Sequence, residues 1–386
     1  MNFNRPQRHD SGITVKVVSA VVFVTFCFLW LYFFQSDTLA VTQHVLSGGV
    51  TRYDRAVGGV LLTLLLSLLA VGSYAVARLR SRFFALAFFP PLLALVLLCN
   101  LQDVTASRTA MTVWVAVSAV LLALWFAAVS FLRRLLQYVS PRRCGLLSRS
   151  MWENMLLLVL MMGGVTAATN TNAVSHYRAR MESRLLEHNT GGALSAGRES
   201  LESDASLTML RAYALSLDGQ LGDRLFQYAV AGRGADLVPS TADSRSRLLR
   251  YPQDSLYRHL GAIPRSGQST ARYLQALERS GQATAAVRDY VLCSLLVDRD
   301  LDGFVGAITR YYDVADSLPL PRHYREALTL YRHLRSQPRL VYRHAVTEED
   351  YRNLQELEAK FSDPRERKIR VLEKYFGSYF YYYEYL

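Results

Sequence analysis

Residues 151–169 read MWENMLLLVLMMGGVTAAT, and the number of times this chain crosses a bilayer turns on them. Only Met155 to Ala168, 14 residues, is continuously apolar. A helix needs roughly 18 to 20 such residues to cross about 30 Å of hydrocarbon. Including Met151, Trp152 and Thr169 brings the stretch to length, with Glu153 and Asn154 near the interface. We read it as a fifth span. Four earlier runs precede it, at about 17–34, 56–77, 83–100 and 110–132, the third interrupted by Pro90-Pro91. Arg5, Arg8 and Lys16 precede the first run. Its length and the missing small-x-small cleavage site mark a retained helix rather than a removable signal.

Loop charge sets the expected orientation, because Lys and Arg collect on the cytoplasmic side. The N-terminal segment, the loop with Arg78, Arg80 and Arg82, and the loop with Arg133, Arg134, Arg142, Arg143 and Arg149 together hold 11 cations. The opposite loops hold 3, Arg52, Arg55 and Arg108. Five spans then put the N-terminus inside and everything after about residue 172 outside the cytoplasm. Four spans, with 152–169 buried or re-entrant, would return the C-terminal half to the cytoplasm.

The formal charge of +12 divides unevenly. Residues 1–171 hold 14 Lys and Arg against 5 Asp and Glu, and residues 172–386 hold 30 against 27. The basicity is loop charge, and the second half has no concentrated basic surface of the kind that phosphate-backbone binding requires. No nucleic acid partner is expected. Cys27 and Cys99 lie in apolar runs, Cys144 in a loop, and Cys293 alone in the second half, which excludes a disulfide within it.

From Val174 onward the apolar spacing is helical and alternating strand patterns are missing. Stops fall near Gly191, Gly219, Gly234, Gly281, Gly303, Pro319 and Pro338. Ala212-x-x-Leu215-x-x-x-Gly219-Gln220 recurs as Leu274-x-x-Leu277-x-x-x-Gly281-Gln282. Ala286 and Tyr290 then stand where a tetratricopeptide (TPR) helix B places a small and an aromatic contact. The first copy has Arg224 and Tyr228 there. Glu326–Tyr331 resembles another such helix. The expected fold is all-α: an N-terminal bundle of five transmembrane helices over 1–171, then a soluble TPR-like helical-hairpin solenoid over 172–386, its repeat departing from a regular period of 34.

Ala40–Tyr53 (AVTQHVLSGGVTRY), Leu217–Tyr228 (LDGQLGDRLFQY) and the Tyr- and Phe-rich C-terminus resemble an uncharacterised family of bacterial multi-pass membrane proteins with a TPR-like C-terminal region. The resemblance spans most of the chain. It implies that two-part architecture and assigns neither substrate nor activity.

Few residues suggest chemistry. Asp298, Asp300 and Asp302 alternate before Gly303 as in a calcium loop, but the twelfth position is Thr309 instead of Glu. An acidic turn that caps a helix explains them better, so no metal is expected. The outer loop between spans one and two carries Gln43, His44, Tyr53 and Asp54. An acidic residue there, Asp37 or Asp54, would suit a membrane enzyme, although no acidic pair is present. A short interfacial helix with a Gly48-Gly49 stop explains the same residues. Gly192–Gly197 lacks the first glycine of a nucleophile elbow, Gly232-Arg233-Gly234 lacks the third glycine of a dinucleotide loop, and the histidines show no metal spacing. Tyr379, Phe380, Tyr381, Tyr382, Tyr383 and Tyr385 suit either a membrane interface, a partner, or packing on their own domain.

These readings point to a bacterial inner-membrane protein that presents a periplasmic helical domain to a protein partner, without catalytic residues or cofactor. The alternative is an enzyme acting on a lipid-linked or polysaccharide substrate at loop 35–55. A transporter component would need ionisable residues within the spans, where the sequence has almost none.

Overall fold

The computed structural model describes residues 13–78, 81–101, 108–136, 148–239, 241–314 and 320–386. Arg5, Arg8, Arg80, Arg142, Arg143, Cys144 and Pro319 lie outside them. The chain forms two compact units, 1–172 and 173–386, helical and without a strand among the described residues.

In the first unit, α1 (Ile13–Leu29) continues through a π-helical turn, Trp30–Phe34. The short α2 (Ser36–Leu46) leads to α3 (Arg55–Ala77). A 3-10 segment, Ser81–Phe88, precedes α4 (Phe89–Cys99), followed by α5 (Arg108–Leu136) and α6 (Arg149–Ala168). Four helices are long and apolar enough to cross a membrane: α1 with its π turn, α3, α5 and α6. They expose Leu and Val freely, as Leu65, Leu68 and Val71 of α3 and Val113 and Val120 of α5 show. Such surfaces suit lipid rather than water.

The weak joint is not where the apolar count placed it. Residues 149–168 form one unbroken helix of 20 residues, capped by the Ser148 hydroxyl on Met151 N–H. The third run, expected to cross as a helix over 83–100, instead has an α-helix of 11 residues. Pro90 and Pro91 fall in the first turn of α4, where their missing N–H groups cost nothing, so they start a helix rather than kink one. The 3-10 backbone before them is enclosed by protein. Ala85 and Phe88 are buried, and Phe88 stacks on Phe23 of α1 at 4.6 Å. Asn154 of α6, fully buried, accepts the Ala85 N–H at 2.7 Å and donates to Ser150 O. Trp125 of α5 donates to Leu86 O at 2.8 Å. Irregular backbone at membrane depth is tolerated where neighbouring helices supply its hydrogen bonds. At the other end, Asn100 joins α4 to α6 by donating to Val96 O and Ala168 O and accepting from Asn170 N–H.

The second unit runs α7 (Ala173–Leu186), α8 (Thr190–Leu194), α9 (Ala205–Leu217), α10 (Leu221–Arg224), α11 (Gln253–Leu260), α12 (Thr270–Ser280), α13 (Ala285–Val297), α14 (Leu301–Ile308), α15 (Arg322–Leu334), α16 (Ala345–Ala359), α17 (Pro364–Tyr375) and α18 (Tyr379–Tyr385). One apolar core runs from Met181 to Tyr382. Of the two similar hairpins, the second forms as the pattern predicts: α12 ends at left-handed Gly281 and α13 follows. The first departs from it. After α9 and left-handed Gly219, only four residues of α10 and a 3-10 turn follow. Arg224 occupies the position that holds Ala286 in the second copy, and it bonds the Gln220 and Gln227 side chains instead of admitting a close helix.

Two buried charges hold the irregular parts. The Glu182 carboxylate accepts the N–H groups of Leu249, Arg250 and Tyr251, and burial pushes its pKa up against those bonds. Arg211 donates to Ala229 O and Gly197 O at 2.9 and 3.0 Å. Each gives backbone groups outside a helix the partners that burial demands.

Candidate functional site

The candidate residues of the loop between α1 and α3 lie around a groove of about 570 Å³. Leu39 and Leu46 of α2, Leu61 of α3 and Leu98 of α4 give it apolar walls, and Gln43, Arg52, Tyr53 and Asp54 line it as well. His44 is not part of that lining; its ring sits against Gly49. Gln43 donates to the Thr51 hydroxyl at 2.9 Å. Asp54 caps α3, accepting the N–H groups of Ala56 and Val57 at 2.9 and 2.8 Å, the ordinary work of an N-cap carboxylate. Tyr53 lies across Gly58, where a Cβ would fall 2.3 Å from its ring. Its hydroxyl has no hydrogen-bond partner, and burial pushes it up to about 12. Arg52 is exposed, while Arg55 bonds the Ser36 hydroxyl and lies over Tyr32. Among the described residues the loop therefore presents an apolar groove with a free cation, Arg52, and an unpaired phenol, Tyr53, at its edge.

Asp298, Asp300 and Asp302 do not converge. Asp298 accepts Gly234 N–H, Asp300 caps α14 through Gly303 N–H, and Asp302 pairs with Arg335 at 2.7 Å. Three carboxylates with three separate partners are structural.

The aromatic tail is folded into its own unit. Tyr379, Phe380, Tyr381 and Tyr382 are buried, and Tyr383 and Tyr385 are partly so. Phe226 meets the rings of Tyr379 and Tyr382 at 5.0 and 4.6 Å. Tyr382 donates to Val297 O and Tyr385 to Glu358. The start of α18 is held by Glu326, which accepts Tyr379 N–H and also bonds Arg322 and His323. Burial raises the Glu326 pKa, but His323, Arg322 and the Tyr379 N–H outweigh it and hold the carboxyl below the usual range.

A second groove, about 690 Å³, lies along α12 between Ala262 and Gln282. Arg265, Arg272 and Arg279 line it, and no Asp or Glu does. Charge counts over 172–386 conceal this cluster because they average it against distant carboxylates. The signal that would have found it is spacing: the three arginines stand seven residues apart.

No curated protein and no solved structure matches the chain. Residues 242–386, which include the arginine-lined groove and the aromatic tail, match a family model described as a family of unknown function, DUF6057.

Proposed function

We propose that this protein is a membrane-anchored platform that presents its C-terminal helical unit outside the cytoplasm to a protein partner. One observation carries the reading: a unit with its own continuous core follows directly on a bundle of membrane-length helices. The α12–α13 hairpin supports a TPR-like character for part of that unit. Helical-hairpin stacks bind through an extended surface rather than a catalytic set.

Orientation follows from the enclosed third segment. If only the four long helices crossed, the cations would divide 7 against 7 between the two sides. A crossing by Ser81–Cys99 restores the division of 11 against 3, which agrees with the positive-inside rule. Its length supports this. Phe83, at φ −126° and ψ 32°, breaks the 3-10 segment. The five 3-10 residues after it at about 2.0 Å and eleven α residues at about 1.5 Å, laid end to end, reach about 26 Å, close to the roughly 30 Å of hydrocarbon. We infer a bacterial inner membrane and a periplasmic C-terminal unit.

The test is labelling of a single cysteine, Glu349→Cys on exposed α16, in a chain lacking Cys27, Cys99, Cys144 and Cys293. A membrane-impermeant maleimide applied to intact spheroplasts should label it fully. Labelling only after lysis would overturn the proposal.

A second reading, an enzyme acting on a lipid-linked substrate, is favoured by the groove beside Arg52 and Tyr53. It predicts that an anionic amphiphile co-purifies with the protein and is lost when Leu61→Trp fills the groove. Unchanged retention in that variant would exclude it.

A further inference from the structure

The groove along α12 carries a short repeat. Arg265-Ser266-Gly267-Gln268 is followed by Arg272-Tyr273-Leu274-Gln275 and then by Arg279-Ser280-Gly281-Gln282, so Arg-x-x-Gln recurs three times and its outer copies are identical. The glycines of those outer copies also share a left-handed φ. Gly267 and Gly281 have φ of 72° and 68°, with open space where a Cβ would stand. The glycines are there for the left-handed turn rather than for a close approach. One turn lies before α12 and the other ends it.

All three arginines and all three glutamines line the groove. The guanidinium groups of Arg265, Arg272 and Arg279 have neither ion pair nor hydrogen bond among the described residues. Several other exposed arginines of the unit pair with carboxylates, as in Arg184–Glu187, Arg335–Asp302 and Arg370–Glu373, while others, such as Arg198 and Arg258, have no ion pair among the described residues. The groove differs in gathering three arginines with no carboxylate in its lining. Gln268 uses its oxygen on Arg265 N–H, and the Gln282 oxygen accepts from Ser280. The amide NH2 ends remain. Gln275 keeps both ends of its amide open, and the groove as a whole is rich in donors and lined by no carboxylate.

We propose that this groove docks an acidic helical segment of a partner protein. Arg272 and Arg279 sit on one face of α12, about 10.5 Å apart along its axis. Carboxylates seven residues apart on a second helix repeat at the same distance, and Arg presents a planar fork to each. The lining favours this occupant over other anions. Its one aromatic ring, Tyr273, is buried with its hydroxyl on Ala262 O, so no ring face is offered to a sugar. Ile263 is its only exposed large apolar side chain, too little surface for acyl chains. The proposal rests on the platform reading for its biological meaning, but its test does not depend on membrane orientation.

The probe is a fluorescein-labelled, alanine-rich peptide of about 18 residues, long enough for appreciable helix, with three glutamates at seven-residue intervals. A control has the same composition with adjacent glutamates. Anisotropy is read against the purified full chain in neutral detergent at low salt. The spaced peptide should bind more tightly than the control and weaken as salt rises. The double variant Arg272→Gln/Arg279→Gln should lose about 100-fold in affinity, about tenfold or 1.4 kcal/mol per arginine. The Lys variants should recover only part of it. These side chains are exposed and unpaired, so unchanged helical circular dichroism is expected to show intact folding. Equal binding of both peptides, or an unaffected double variant, would overturn the proposal. So would arginine-dependent binding of polygalacturonate or phosphatidylglycerol vesicles where the peptide fails. Peptide binding combined with failed labelling of Glu349→Cys would overturn the platform orientation and leave the groove standing.

Discussion

Replacing Glu326 by Gln should release the aromatic tail. The carboxylate is nearly buried and serves three donors: Arg322 Nε at 2.8 Å, His323 Nδ1 at 2.9 Å and Tyr379 N–H at 2.6 Å. An amide of the same shape keeps one acceptor and turns an NH2 group toward a donor. Breaking a buried pair costs about 3–5 kcal/mol. Arg322 is half exposed, so solvent recovers part of that, and about 2–4 kcal/mol remains. Cys293 offers a reporter, since it is fully buried and close to the hydroxyl of Tyr324 at 3.6 Å. With Cys27, Cys99 and Cys144 replaced, its labelling rate by a small maleimide measures opening of the unit. At 1.4 kcal/mol per decade, Glu326→Gln should speed labelling about 30-fold to 1,000-fold. The exposed control Glu349→Gln should change it less than about twofold. The pH dependence has a definite sign. The folded pKa of Glu326 lies below the unfolded one, so its stabilisation is present above the unfolded value, about 4.3. It is lost as pH falls through the lowered folded value. Divided by the rate of an unfolded reference thiol at each pH, which removes the falling thiolate fraction, labelling of the reference chain should therefore accelerate below about pH 4, with a flatter profile in Glu326→Gln. A change of less than threefold at neutral pH would refute the assignment of Glu326 as the tail's anchor.

Three further outcomes follow from the same geometry. Asn154→Ala leaves the Ala85 N–H unpaired inside the bundle and should destabilise the detergent-solubilised protein by about 1–2 kcal/mol, read as a lowered melting temperature. Asp300→Ala removes the α14 cap and should cost about 1 kcal/mol, whereas Asp302→Ala, which loses an exposed ion pair, should be near neutral; calcium should shift the melting of neither. Gly58→Ala places a methyl on the Tyr53 ring and should displace it, which ultraviolet difference absorption of Tyr53 against a Tyr53→Phe reference would register.

The long apolar runs were legible because lipid-facing helices are apolar all round, a property a composition window detects directly. Which run would be short was not. Counting Met155–Ala168 undervalued α6, whose second turn includes the buried, hydrogen-bonded Asn154, and overvalued 83–100, whose prolines set the start of α4. The role of Asn154 is visible only when Ala85, 69 positions earlier, lies 2.7 Å from it. In the second half, Gly281 and the α12–α13 hairpin follow from local spacing. The failed first hairpin depends on where Arg224 finds partners. The tail's aromatic composition is compatible with membrane, partner or core, and only its contacts with Phe226, Val297 and Glu326 decide. The arginine groove has a sequence signature, but a charge sum over the half-chain hides it.

In the proposed topology the bundle carries the chain across the membrane an odd number of times, with the short third segment among the crossings. Paired fusions test it directly: a phosphatase active only outside the cytoplasm, or a fluorophore active only inside, joined within residues 102–107 and again after Leu386. Phosphatase activity and no fluorescence are expected at both positions. Fluorescence at either one would contradict that topology, the first by removing the third crossing and the second by placing the C-terminal unit in the cytoplasm.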